Sequence, residues 1–245
     1  MGKVDHVVVH IAMLAEANPM IEAMGLKELA SDPFPGVYPA RAFQGSVGGA
    51  KVTVVANGTD AQFGVDCVGT VNAALVAHLI CTALSPDIVV NAGTAGAFSK
   101  RGGAIGDVYV ASAFKNHDRR VSLPGFDVWG VGEYPAHATP GLVSALGLKL
   151  GVVTTGNSLD MCDTDGERMD ANGADVKEME AAAIAQVCKC HGVPLVAIKA
   201  VTDIVDADRP SPEQFMENLG SAAKALQKAV PEAVAFLAGK ELGSL

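Results

Sequence analysis

Four carboxylates stand where apolar chain gives way to polar chain. Glu16 follows the run from Val7 to Ala15, which only His10 interrupts. Asp203 ends Lys199-Ala200-Val201-Thr202-Asp203, and Glu178 and Glu180 flank Met179 at the start of an alanine-rich stretch. A carboxyl group held at the end of a buried strand can serve as general acid or base, worth roughly 10²–10⁴-fold in rate. A second carboxylate can stabilise a cation that develops in the transition state. Asn91-Ala92-Gly93-Thr94-Ala95-Gly96 is a loop of small residues whose backbone can approach a ligand closely. Thr155-Gly156-Asn157-Ser158-Leu159-Asp160 is a further strand end of the same character. Each feature also has a plain structural reading. Glu16 could be a solvated residue before a helix, Glu178 and Glu180 first-turn acids facing a helix dipole, and Asp203 a turn cap. Gly93-x-x-Gly96 lacks both the dinucleotide fingerprint and the lysine of a phosphate loop.

These residues need elements to position them. Short Val- and Ile-rich runs predict strands at Val7–Met13, Val52–Ala56, Ile88–Asn91, Asp107–Ala111, Gly151–Thr154 and Leu195–Val201. Their continuous apolar character predicts strands covered on both faces. Between them, Asn18–Leu29 reads as a helix with Asn18 as its cap and Pro19 at its first position. Gly69–Leu84 and Met179–His191 read as helices stopped by Pro86 and by Gly192-Val193-Pro194. A long C-terminal helix spans Pro212–Leu237, with a break expected at Pro231. Lys115–Pro140 is the longest irregular stretch, and Asp163–Ala174 carries no signal. The alternation predicts an α/β fold: one domain over 1–245, a three-layer α/β/α sandwich with a central mixed sheet. In such sheets ligands bind at the carboxyl ends of strands, where the polar residues above lie.

Composition narrows the function. The net charge of −9 argues against nucleic acid and against an anionic membrane surface as partner. No run reaches the roughly 18 apolar residues of a membrane span, and the first residues lack the basic start of a signal peptide. Five cysteines without a repeated spacing read as reduced thiols of a cytoplasmic protein. Cys188 and Cys190 are two apart, so on a helix they point to different faces, and no metal is expected.

Taken in order, Ala12-Met13-x-x-Glu16, the Asn91–Gly96 loop, Glu178-Met179-Glu180-Ala181 and Lys199–Asp203 resemble the nucleoside phosphorylase/hydrolase superfamily. His117-Asp118-Arg119-Arg120, Gly156–Met161 and Ala200–Asp206 resemble the plant-type branch of its 5′-methylthioadenosine nucleosidases. The resemblance implies hydrolysis of the N-glycosidic bond of methylthioadenosine, and of S-adenosylhomocysteine as an open alternative, without a cofactor. It implies Asp203 as the acid that protonates adenine and Glu16 as the residue that activates water. It implies a nucleoside pocket built with Met13, Thr94, Leu159, Lys177, Glu178, Met179 and Glu180, the last on the ribose side. It also implies a homodimer closed by the stretch His117–Tyr134, with Leu123, Phe126, Val128 and Trp129 at the interface. Phosphorolysis and non-catalytic nucleoside binding are alternatives on the same fold. A carboxylate at Glu16, where a phosphorylase would hold phosphate, disfavours the first of them.

Overall fold

The computed structural model describes residues 2–34, 36 and 38–245. Among the described residues the ten strands are β1 (His6–Ile11), β2 (Lys27–Glu28), β3 (Arg41–Val47), β4 (Ala50–Ala56), β5 (Ile88–Ala97), β6 (Val108–Asn116), β7 (Tyr134–Pro135), β8 (Lys149–Thr155), β9 (Val176–Glu178) and β10 (Leu195–Ile204). They form one mixed sheet, as expected. Its helices are α1 (Leu14–Ala23), α2 (Thr70–Leu79), α3 (Phe126–Val131), α4 (Pro140–Leu146), α5 (Asp163–Ala171), α6 (Ala181–His191) and α7 (Ser211–Leu237).

Strand alternation distributes the apolar side chains to two faces. Val7, Val9 and Ile11 of β1, Val196 and Ile198 of β10, and Ile88 and Val90 of β5 pack with α1, α4 and α7. Val8, Val89, Leu195 and Ala197 pack on the other side, with α2 and α6. Each such Val or Ile contributes about 1.5–3 kcal/mol by leaving water.

The sheet order runs β10-β6-β8-β9-β5-β1-β4-β3-β2, and β10 also pairs with β5. The strands β5, β10, β6, β8 and β9 therefore close a ring. β5 makes this possible by its length. Its first half pairs with β1, and its end, Gly96 and Ala97, pairs with β9. The strand was expected to stop at Asn91, but small residues carry it on to Ala97.

Several other expectations are corrected. The first helix starts at Leu14 after Met13, so Asn18 is no cap and Pro19 lies inside the helix. It ends at Ala23, and Gly25 turns the chain at φ +64° into β2. β2, β3, β7 and β9 were not anticipated. β3 carries a hydrophilic mix, and the other three are two or three residues long. Lys115–Pro140 is not one irregular stretch but holds the end of β6, α3 and β7. Asp163–Ala171 is a helix, and α7 continues through Pro231 without a break. Cys188 is buried and Cys190 exposed, so the two do face apart.

Candidate active site

The carboxyl ends of β1, β5 and β10, the start of α6 and the chain before α2 converge on a cavity of about 280 Å³. All nine residues singled out from the sequence line it: Met13, Glu16, Thr94, Leu159, Lys177, Glu178, Met179, Glu180 and Asp203.

Glu16 reaches the cavity floor because α1 begins immediately after β1. Its Oε1 accepts two hydrogen bonds from Thr94, from the backbone N at 3.0 Å and from Oγ1 at 2.6 Å. The side chain is buried, and that desolvation raises its pKa. Thr94 and the Lys199 charge oppose the rise. A base whose pKa is raised takes a proton from water more readily than an ordinary carboxylate. Glu16 Oε2 and Lys199 Nζ both border the space where Gly93 has no side chain. A Cβ there would lie 3.6 Å from the one and 3.7 Å from the other.

Glu178 and Glu180 have different roles. Glu178 is the acid of the helix N-terminus. Its carboxylate accepts from the backbone N of Glu180 at 3.0 Å and of Ala181 at 2.9 and 3.0 Å, and from the Thr155 hydroxyl. It also pairs with Lys199 at 2.9 Å, both side chains being almost wholly buried. Glu180 instead turns away from the helix. Its Oε1 accepts from the Gly69 N–H at 2.7 Å. Burial and then the neighbouring Glu178 charge push its pKa up to about 7, against the pull of Lys199 and of Gly69. Glu180 keeps lone pairs free for a ligand, whereas the Glu178 side chain is consumed by structure.

Lys177 is likewise committed. Its Nζ donates to the carbonyls of Ser158 and Leu159 at 2.8 and 2.7 Å and so draws that loop to the cavity. Burial lowers its pKa. Lys177 and Glu178 therefore offer a ligand main chain and packing rather than charged side chains.

Asp203 lies opposite, on β10 just past an irregularity in its pairing with β5. The Thr202 hydroxyl donates to its Oδ1 at 2.8 Å. Its Oδ2 lies over Gly96, where a Cβ would come within 2.6 Å of it. Only glycine at position 96 leaves the carboxylate its place. The walls are otherwise mostly apolar. Met13 and Met179 are joined by Ala12 and Ala95, which lie within the motifs read from the sequence, and by Val68 and Phe215, which the sequence pattern did not single out. Val68 and Phe215 precede or begin helices in segments without a polar motif, so nothing in their spacing marked them. Lys199 was visible within a motif but had no role until its pairing with Glu178 was seen.

The chain matches the phosphorylase superfamily over residues 6–235. It is 41% identical over 250 residues to an Arabidopsis thaliana protein named 5′-methylthioadenosine/S-adenosylhomocysteine nucleosidase, covering 100% of this chain and 98% of that one. The apo structure of an Arabidopsis thaliana 5′-methylthioadenosine nucleosidase superposes with a TM-score of 0.97 at 41% identity, with both chains fully covered. A Neisseria meningitidis nucleosidase solved with methylthio-immucillin-A superposes with a TM-score of 0.78 at 26% identity, over 95% of this chain and 100% of that one. The fold, the carboxylates gathered round one cavity and these full-length matches together make the chain a member of the phosphorylase superfamily, in its methylthioadenosine/S-adenosylhomocysteine nucleosidase family.

Proposed function

We propose that the protein hydrolyses the N-glycosidic bond of 5′-methylthioadenosine, giving adenine and 5-methylthioribose. The observation that carries this reading is the Glu16 carboxylate fixed by both donors of Thr94. An anionic nucleophile would meet that charge, whereas water can give it a proton. Lys177, which lines the cavity, is engaged by two carbonyls, and Lys199, beside Gly93, is engaged by Glu178, so neither is free to hold phosphate.

In this mechanism Asp203 donates a proton to N7 of adenine as the C1′–N9 electron pair passes to the base. The sugar becomes oxocarbenium-like, and Glu180 stabilises it from the hydroxyl side. Glu16 takes a proton from the water whose oxygen bonds to C1′. One acid, one base and space for water between them is the division of labour of inverting glycosidases. Met13 and Met179 suit the thioether through polarizable contacts. Val68 and Leu159, each 39% exposed, are the lining residues that also face solvent, and S-adenosylhomocysteine is an alternative substrate whose larger substituent would have to pass them.

We further propose that the chain acts as one domain and as a homodimer in the cytoplasm, within methionine salvage. Phe126, Val128 and Trp129 are between 51% and 74% exposed, and Leu123 and Val71 stand out similarly. Solvent-facing apolar and aromatic groups of this density suit an interface core. Among the described residues no helix is long and apolar enough to cross a membrane. Adenine release measured with and without phosphate tests the reaction. Release at an equal rate in its absence, with free methylthioribose as the second product, is expected. A requirement for phosphate would overturn the hydrolytic reading.

A further inference from the structure

His10 lies in the middle of the sheet, on β1, with 1% of its surface exposed. Its Nε2 is 2.8 Å from Asn57 Oδ1, and Asn57 Nδ2 donates to the Cys67 carbonyl at 2.7 Å. The Cys67 carbonyl can only accept, so it fixes which way the Asn57 amide faces. The amide oxygen then requires a donor, and His10 must carry its proton on Nε2. Among the described residues its Nδ1 is left buried without a partner. Burial, helped by the Lys199 charge and opposed by Asn57, pushes the imidazole down to about 4, so it is neutral at ordinary pH. An aliphatic side chain, as at Val8, would leave no such orphan. The position makes sense if the donated bond is used.

That bond reaches the active site. Asn57 follows β4 and is anchored by its own N–H to Ile11 O at 3.2 Å. From there the chain runs out into solvent, with Phe63 70% exposed, and returns at Cys67. Cys67 N–H meets Gly58 O at 2.9 Å, and its carbonyl meets the Asn57 amide. The next residue, Val68, forms cavity wall, and the one after, Gly69, gives its N–H to Glu180.

We propose that His10 is a positioning residue, which through Asn57 holds the Cys67–Gly69 segment so that Val68 walls the cavity and the Gly69 N–H meets Glu180. The kinetic part rests on the ribose-side role of Glu180 proposed above. The Gly69 bond is one of several influences on that carboxylate. Glu178 on β9, Lys199 on β10 and Glu16 on α1 also face it. Loss of the bond alone moves its titration upward, since the N–H favours the charged form.

The test uses His10→Leu, which removes the donor, and His10→Gln, which restores one of similar reach. Hydrogen exchange at the Gly69 amide is followed by NMR, and kcat/KM is followed against pH. His10→Leu is expected to speed Gly69 exchange by about tenfold or more and to move the acid limb upward by roughly half a pH unit. KM should rise more than kcat falls, and His10→Gln should return all three towards wild type. Wild-type Gly69 exchange and an unmoved acid limb in His10→Leu would overturn the proposal. Should that variant fail to fold, Asn57→Ser, too short to bridge His10 and Cys67, takes its place in both measurements. Faster Gly69 exchange and a raised acid limb in Asn57→Ser would then support the proposal, and wild-type behaviour in both would overturn it. Glu180→Gln separates the two ideas. If its kinetics and pH profile match wild type, the role of Glu180 falls, while Gly69 exchange still decides the role of His10.

Discussion

Glu178 Oε2 and Lys199 Nζ lie 2.9 Å apart, sealed from solvent at 2% and 1% side-chain exposure. Lys199→Met would strip the cation from a carboxylate that stays buried. Breaking such a pair from one side costs about 3–5 kcal/mol. Urea unfolding should show a loss of that order, and Glu178→Gln in the same chain should recover part of it. A loss below about 1 kcal/mol would mean that the backbone donors of α6 suffice for Glu178 without the lysine.

Asp203→Asn preserves shape but cannot supply an acidic proton. Turnover should drop at least about 100-fold with the circular dichroism spectrum unchanged. More than a tenth of wild-type kcat would remove Asp203 from the acid role. Gly96→Ala should mimic the loss from a distance, since its new methyl group collides with Asp203 Oδ2.

Glu16→Gln keeps an acceptor for Thr94 but no base. Hydrolysis should be abolished while binding of a non-hydrolysable nucleoside analogue stays within a few-fold of wild type by calorimetry. Weakened binding with intact turnover at saturation would make Glu16 a substrate contact instead.

Glu180 gives opposite signs for activity and stability. Its carboxyl titrates at about 7 in the folded protein against an ordinary value of 4.5. If the anion supports catalysis, kcat/KM falls as pH drops below about 7. Between pH 4.5 and about 7 the folded chain holds a proton that the unfolded chain has released, so stability falls as pH rises through that window. Glu180→Gln should therefore raise Tm above pH 7 while lowering activity. A lower Tm at pH 8 would contradict the burial argument.

Phe126→Asp or Trp129→Asp should shift sedimentation towards monomer and lower activity together. The two rings pack edge to face at 6.2 Å, so either change disrupts a shared apolar surface. A fully active monomer at high dilution would refute the dimer as a requirement for activity.

The sequence disclosed most where local chemistry and long-range geometry agree. β1, β4, β5 and β10 are buried on both faces, which leaves continuous Val and Ile runs to read. Glu16 and Glu180 stand at the start of a helix, and Thr94 and Asp203 lie in the carboxyl-terminal halves of β5 and β10, so their grouping could be anticipated from motif order. What escaped was decided by tertiary contact. Pro19 and Pro231 lie within helices despite their local preference, because the flanking turns bury Met20 and Val234 completely. β9 is three residues long and exists through pairing with β8 and β5. Phe215 reaches the cavity only because α7 folds back across β10, a relation no spacing records.

The ring of β5, β10, β6, β8 and β9 also sets an order of events. β10 is the last strand in the chain, yet it sits between β5 and β6. A growing polypeptide can lay β1 beside β4 and β5 early, but both neighbours of β10 must wait with open edges until residues beyond Leu195 emerge. Such edges invite misplaced pairing, so this interval is the one in which the nascent protein is most exposed to aggregation. Lys199 and Asp203 arrive on that same strand. The pocket therefore cannot act before the ring is shut, and the step that ends the hazard is the step that completes the chemistry.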